Sequence, residues 1–107
     1  MSANPEPQPS AAYDADSRPK LLFFYSESSG RSRRAEGFLA QVLQRRRNHD
    51  TFQLYRIDYN ARPDLAQRFG IENPPTLVVV ENKHIRARIE QPRGCMEIQN
   101  ALAFWLR

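Results

Sequence analysis

One cysteine, Cys95, stands among 107 residues. It cannot close an intrachain disulfide or supply a cysteine-rich metal site, so disulfide scaffolds and structural zinc are excluded. Long hydrophobic runs are also missing. The longest, Ala101 to Leu106, has six residues, against roughly 18 to 20 for a bilayer span. The opening residues, Met-Ser-Ala-Asn-Pro-Glu, hold neither a basic nor an apolar stretch, so nothing directs secretion and a cytoplasmic location is the expectation. Histidine occurs twice, at His49 and His84; both fall in predicted loops without companion ligands, so no metal site is expected. No zinc-finger or RNA-binding strand motif accompanies the basic residues, and Tyr55 and Tyr59 are expected to pack rather than to stack on bases. No cofactor, membrane or nucleic acid is therefore expected as a partner.

What is present fits one soluble globular domain: 40% hydrophobic and 26% charged residues, with 16 Lys and Arg against 12 Asp and Glu, a net charge of +4. Four of the eight prolines lie within residues 1–19. That segment has too little apolar periodicity to offset its ordering entropy, which predicts a disordered tail. Residues 20–107 then carry 15 basic and 9 acidic side chains, a net of +6. The folded part is distinctly basic.

Leu21-Leu22-Phe23-Phe24-Tyr25 reads as a strand buried on both faces, over residues 20–26. Ala35, Phe38, Leu39, Val42 and Leu43 then form one helical stripe, predicting a helix over 30–48 with Arg45-Arg46-Arg47 at the negative end of its dipole. Phe52 to Asp58 reads as a second strand, parallel to the first because a helix intervenes in a right-handed crossover. Asp58, at its end, is expected to form a turn. Pro63 opens a short helix over Asp64 to Phe69, and Gly70 is placed to close it. Leu77 to Val80 predicts a buried strand and Glu81-Asn82-Lys83-His84 a hairpin turn. Ile85, Ala87 and Ile89, alternating with Arg86, Arg88 and Glu90, predict an edge strand. After Pro92-Arg93-Gly94, the spacing of Ile98, Ala101, Leu102, Trp105 and Leu106 predicts a last helix, with Trp105 in the core.

This order, β-α-β-α-β-β-α, with Gly70-Ile71-Glu72-Asn73-Pro74-Pro75-Thr76-Leu77, resembles the thioredoxin family over residues 20–107. The resemblance implies an α/β thioredoxin-like fold, a four-stranded mixed sheet of order 2-1-3-4 with helices on both faces. It also implies a cis bond before Pro75, where neighbouring backbone groups can pair with an extended peptide. Aligning the glycine of the family's Trp-Cys-Gly-Pro-Cys redox centre on Gly30 puts Ser28 at the tryptophan and Ser29 and Ser32 at the two cysteines. The family's buried acidic residue of strand one corresponds to Phe23, and the glycine before the last helix to Gln91.

Disulfide exchange needs a thiolate nucleophile and a second sulfur to resolve the mixed disulfide, and serine supplies neither. The leading expectation is a redox-inactive module that binds a protein or peptide segment at Ser28, Ser29, Gly30, Arg31, Ser32, Pro74, Pro75 and Thr76. Ser28 or Ser29 suits a helix N-cap, and the positive dipole end beside Arg31, Arg33 and Arg34 suits an acidic or anionic ligand. The same arginines also read as a solvated basic face. An enzymatic alternative is a thiol-disulfide or glutathione-dependent reaction at Cys95, beside Arg93 near the start of the last helix, or with a partner's thiol.

Overall fold

A computed structural model describes residues 18–107. The disordered tail expected over residues 1–19 lies outside these residues except for Arg18 and Pro19. Pro19 is tied to the sheet, its carbonyl accepting the Gln53 N–H at 2.9 Å.

The central strand, β1 (Lys20–Tyr25), buries Leu21, Leu22, Phe23 and Phe24. Helix α1 (Gly30–Gln44) leads to β2 (Gln53–Asp58), which pairs with β1 in parallel, Leu22 opposite Tyr55 and Phe24 opposite Ile57. After α2 (Pro63–Arg68) comes β3 (Thr76–Glu81), antiparallel to β1, then β4 (His84–Glu90) and α3 (Cys95–Ala101). The sheet order is β2-β1-β3-β4. Leu21 and Phe23 face α1 and α3, in a core with Leu39, Val42, Leu77 and Ile98. Leu22 and Phe24 face α2 with Ala66, Ile71 and Val78. Among the described residues no helix is long and apolar enough to cross a membrane.

Local chemistry explains the shorter elements. Pro63 opens α2, and Gly70 closes it at φ +66°, a conformation that costs a side-chain-bearing residue energy. The Gly70 and Ile71 N–H groups then reach the Gln67 and Ala66 carbonyls at 3.1 and 2.8 Å, a Schellman closure. From β4, the Arg88 guanidinium donates to the Phe69 and Gly70 carbonyls, placing a cation at that helix end. Asn82 and Lys83, both at positive φ, make the two-residue turn from β3 to β4. Asp58 accepts the Asn60 N–H at 2.9 Å through its side chain and so forms the turn after β2.

Four expectations need correction. The first helix ends at Gln44, not near residue 48. Its apolar stripe stops at Leu43, and the next core-facing positions hold Arg46 and Asp50. Arg45 leaves the helix at ψ 135°, and Arg46 and Arg47 are left-handed within a 3-10 segment, Arg45–Asp50. Buried Asn48 organises this segment. It donates to the Arg45 carbonyl at 2.7 Å and accepts from Thr51 Oγ1 and the Arg107 N–H at 2.9 and 2.8 Å. Second, β4 does not alternate throughout. A bulge puts Ala87 opposite Val79 but Ile85 opposite Val80, so Arg86 is the extra residue and Ile85 turns to the α2 face, 49% exposed. His84, expected in a loop, begins this strand. Third, the last helix stops at Ala101, which is exposed; Trp105 and Leu106 pack from the following turn and are only half-buried. Fourth, Tyr55 is 39% exposed, whereas Tyr59 packs beneath α2.

At the start of α2, Arg62 grips Asp64 with two hydrogen bonds, 3.1 and 2.9 Å. The hydrogen bond holds the Asp64 carboxyl down at about 2, below the usual carboxylate range near ~3.9. Any stability it contributes is complete above the unfolded value and is lost as pH falls through about 2. A carboxyl-detected NMR titration is expected to give an Asp64 midpoint near 2, returning to the ordinary range in Arg62→Ala; a native midpoint near ~4 would refute the pairing in solution.

Candidate functional site

The chain turns from β1 into α1 through Ser26, Glu27, Ser28 and Ser29. Ser29 is the N-cap of α1: its backbone is extended and its Oγ accepts the Ser32 N–H at 3.2 Å. Ser32, buried to 3% exposure, turns its own Oγ back to accept the Ser26 N–H at 2.9 Å. Ser26 and Ser28 exchange a hydroxyl hydrogen bond at 3.3 Å, and Ser28 is exposed. The two inner serines therefore have structural work as oxygen acceptors at the helix start.

The Asn73–Thr76 loop meets this corner. The Pro74–Pro75 peptide bond is cis. Pro75 and Thr76 are buried, and Thr76 Oγ1 donates to the Asn73 carbonyl at 3.0 Å. Their side chains shape the loop from beneath, and Pro74, half-buried, is the proline that solvent reaches. Backbone pairing here is narrower than the sequence suggested. Neither proline has an N–H to donate, and the Pro75 carbonyl already accepts the Gln91 N–H at 2.7 Å.

Gln91 links the parts. Its N–H holds Pro75, while its side-chain oxygen accepts from Arg31 at 3.3 Å. It does so at φ 48°, a left-handed backbone that favours glycine. A cleft of about 680 Å³ opens beside it, lined by Arg31, Arg34, Gln91 and Arg93 together with Glu90 and Glu97. On the other side of Gly30, Arg33 donates to the Glu27 carbonyl at 3.4 Å. A side chain begun at Gly30 would meet guanidinium nitrogens of Arg34 and Arg33 at 3.6 and 3.8 Å, so both cations lie over the helix start.

Of the remaining sequence candidates, Cys95 meets only the far end of the same cleft, through Phe38. Cys95 Sγ donates to Gln41 Oε1 at 2.7 Å and more weakly to the Phe38 carbonyl at 3.8 Å. Phe38 is nine residues beyond Ser29, about 13 Å along the helix axis. His49 sits beside Asp50 at 3.5 Å, with both side chains exposed. Phe23 is buried in the main core, its ring 5.9 Å from that of Tyr25.

The model of the Thioredoxin family matches residues 10–103. The chain belongs to the thioredoxin family. Solved structures share its fold. Trxlp from Edwardsiella tarda is 16% identical, with 87% of this chain and 86% of that one covered and a TM-score of 0.73. Deadhead, a germline-specific thioredoxin of Drosophila melanogaster, is 19% identical over 89% and 88% of the two chains, with a TM-score of 0.74. A Fasciola hepatica thioredoxin is 11% identical over 86% and 85%, with a TM-score of 0.72. No curated protein matches by sequence. Within this thioredoxin-family domain, Gln91 has a part that no sequence motif signals. Its replacement of a family glycine was visible, but its simultaneous hold on Arg31 and Pro75 was not.

The serine geometry predicts unequal costs. Ser32→Ala leaves the Ser26 N–H unpaired beside a buried site and should destabilise the domain by roughly 1–3 kcal/mol, while Ser29→Ala, a lost N-cap, should cost about 1 kcal/mol. Ser28→Ala should fall within about 0.5 kcal/mol of the parent, as exposed substitutions do. Urea unfolding of the three variants checks this; equal costs at Ser28 and Ser32 would contradict it.

Proposed function

We propose that this thioredoxin-family domain is a redox-inactive recognition module that binds an extended, acid-bearing segment of a partner protein at Ser28 to Ser32, Pro74 and Gln91. The observation that carries the reading is the state of Ser29 and Ser32. Both sulfur positions hold oxygen, and both oxygens accept hydrogen bonds that keep the helix start in shape. A hydroxyl there can neither attack a disulfide nor resolve a mixed one. Phe23, buried in the main core, provides no ionisable group to exchange a proton.

Recognition rests on what the corner leaves open. The positive end of α1 carries Arg33 and Arg34 over Gly30, with Arg31 at its flank. Cations at a helix N-terminus oppose the dipole by about 0.3–1 kcal/mol each at the nearest positions, so a partner carboxylate or phosphate relieves repulsion as well as adding attraction. The half-buried Pro74 ring offers an apolar contact. The partner segment accordingly pairs through few main-chain hydrogen bonds, and side-chain charge supplies most of its selectivity.

Insulin reduction with dithiothreitol or glutathione tests the redox half of the proposal. The protein and Cys95→Ser are both expected to run at the rate of the no-protein control. Turnover that Cys95→Ser abolishes would establish the thiol enzyme instead. For the binding half, phosphate titration should shift the Gly30 and Arg31 amides. The response should weaken with added salt and disappear in Arg33→Ala with Arg34→Ala; shifts scattered over the surface would reduce the arginines to a solvated face.

A further inference from the structure

The sheet face opposite α1 and α3 is only half covered. Helix α2 has six residues, about 9 Å of length, and it packs over Phe24 and Val78. Towards the start of β1 and the Asn82-Lys83 turn, the same face carries a cleft of about 990 Å³. Its floor crosses all four strands: Tyr55 of β2 stands opposite Leu22 of β1, and Val80 of β3 stands opposite Ile85 of β4. Tyr55 and Ile85, 39% and 49% exposed, are left to water there. The bulge at Arg86 is what turns Ile85 to this face.

The rim is cationic. Lys20, Arg68 and Lys83 line it and form no ion pair among the described residues. Of the other charges in the cleft, Arg18 has an interaction of its own, Arg56 is drawn to Glu36 at 2.7 Å and Arg62 to Asp64 at 2.9 Å. The one acidic lining residue, Glu81, is held by Trp105 and Arg86 at 3.4 and 3.7 Å. An exposed apolar floor thus lies beside three cations, Lys20, Arg68 and Lys83, that no carboxylate among the described residues compensates.

We propose that this cleft docks an acidic amphipathic helix of a partner protein. The apolar stripe of such a helix would cover Tyr55, Leu22, Val80 and Ile85, and its flanking carboxylates would meet Lys20, Arg68 and Lys83. Adjacent strands lie about 4.8 Å apart, so the floor is about 14 Å wide, matched by three turns of helix at about 5.4 Å each. A single-stranded nucleic acid satisfies the charge but not the floor, where Tyr55 is exposed but the other aromatic, Phe69, is packed against Phe24, and bases need successive stacking platforms. The surface is separate from the Ser29 corner: it lies at the start of β1, roughly 17 Å from the strand's last residue, and the inference stands whether or not the corner binds peptide.

The test is an amide-detected NMR titration of the full chain with a synthetic 14-residue peptide, leucine at helical a and d spacing and glutamate elsewhere. Shifts are expected at Leu22, Tyr55, Arg68, Lys83 and Ile85, with affinity falling about tenfold between roughly 50 and 300 mM salt. The exposed charge reversals Lys20→Glu, Arg68→Glu and Lys83→Glu together should weaken binding at least about tenfold, and neutral Lys20→Gln with Lys83→Gln about threefold, in proteins whose spectra otherwise match the parent. Equal binding of a lysine version of the peptide, of polyglutamate or of oligothymidine would overturn the proposal. So would shifts confined to the Ser29 corner, or no saturation by about 1 mM. Cleft amides that move with protein concentration alone would assign the surface to a second copy. Amides that move when Glu6→Gln, Asp14→Asn and Asp16→Asn are introduced without peptide would assign it to this chain's own first residues; either result displaces the partner helix.

Discussion

Burial of β1 on two faces is the constraint on which the rest of the domain depends. Leu21 and Phe23 close one core, Leu22 and Phe24 the other. Each side chain contributes about 1.5–3 kcal/mol by leaving water, and because neighbours point in opposite directions, a shift of one residue would exchange the two cores. The strand's fixed register delivers Tyr25 and Ser26 to one place at the sheet's end. There the chain must turn into α1, and the polar chemistry of the corner begins.

That corner keeps the framework of a thioredoxin with different atoms in it. Two hydroxyl oxygens satisfy backbone N–H groups, one proline loop lies against Gln91, and arginines gather around a helix end whose own dipole repels them. None of these contacts has catalytic chemistry of its own. Their common effect is to gather positive charge and a proline loop at one end of the sheet, the arrangement on which the proposed recognition rests.

Periodicity made most of the framework legible. The run at β1, the stripe from Ala35 to Leu43 and the Pro63 and Gly70 boundaries of α2 are local signals that tertiary packing reinforces. The misses share a cause in contacts distant in sequence. Arg46 and Arg47 have no intrinsic preference for a left-handed backbone; Asn48, buried against the chain's last residue, organises their loop. Ile85 alternates correctly with its neighbours, and only the pairing with β3 shows the bulge that reverses it. At the site, the serines and arginines were readable as residue types. The burial of Pro75 and Thr76 and the two-sided grip of Gln91 depend on β4 ending beside the proline loop, which no short motif encodes.

The Ser32 hydroxyl has a consequence for any attempt to build a dithiol into this corner. Its oxygen accepts a main-chain hydrogen bond in a buried position, and sulfur is a larger atom and a poorer acceptor. Cysteines at residues 29 and 32 would replace the oxygen acceptors that hold this turn. The two serines are therefore not an empty socket awaiting its sulfurs. The turn is held by oxygen acceptors, and cysteines there would leave the Ser26 and residue-32 N–H groups with weaker partners.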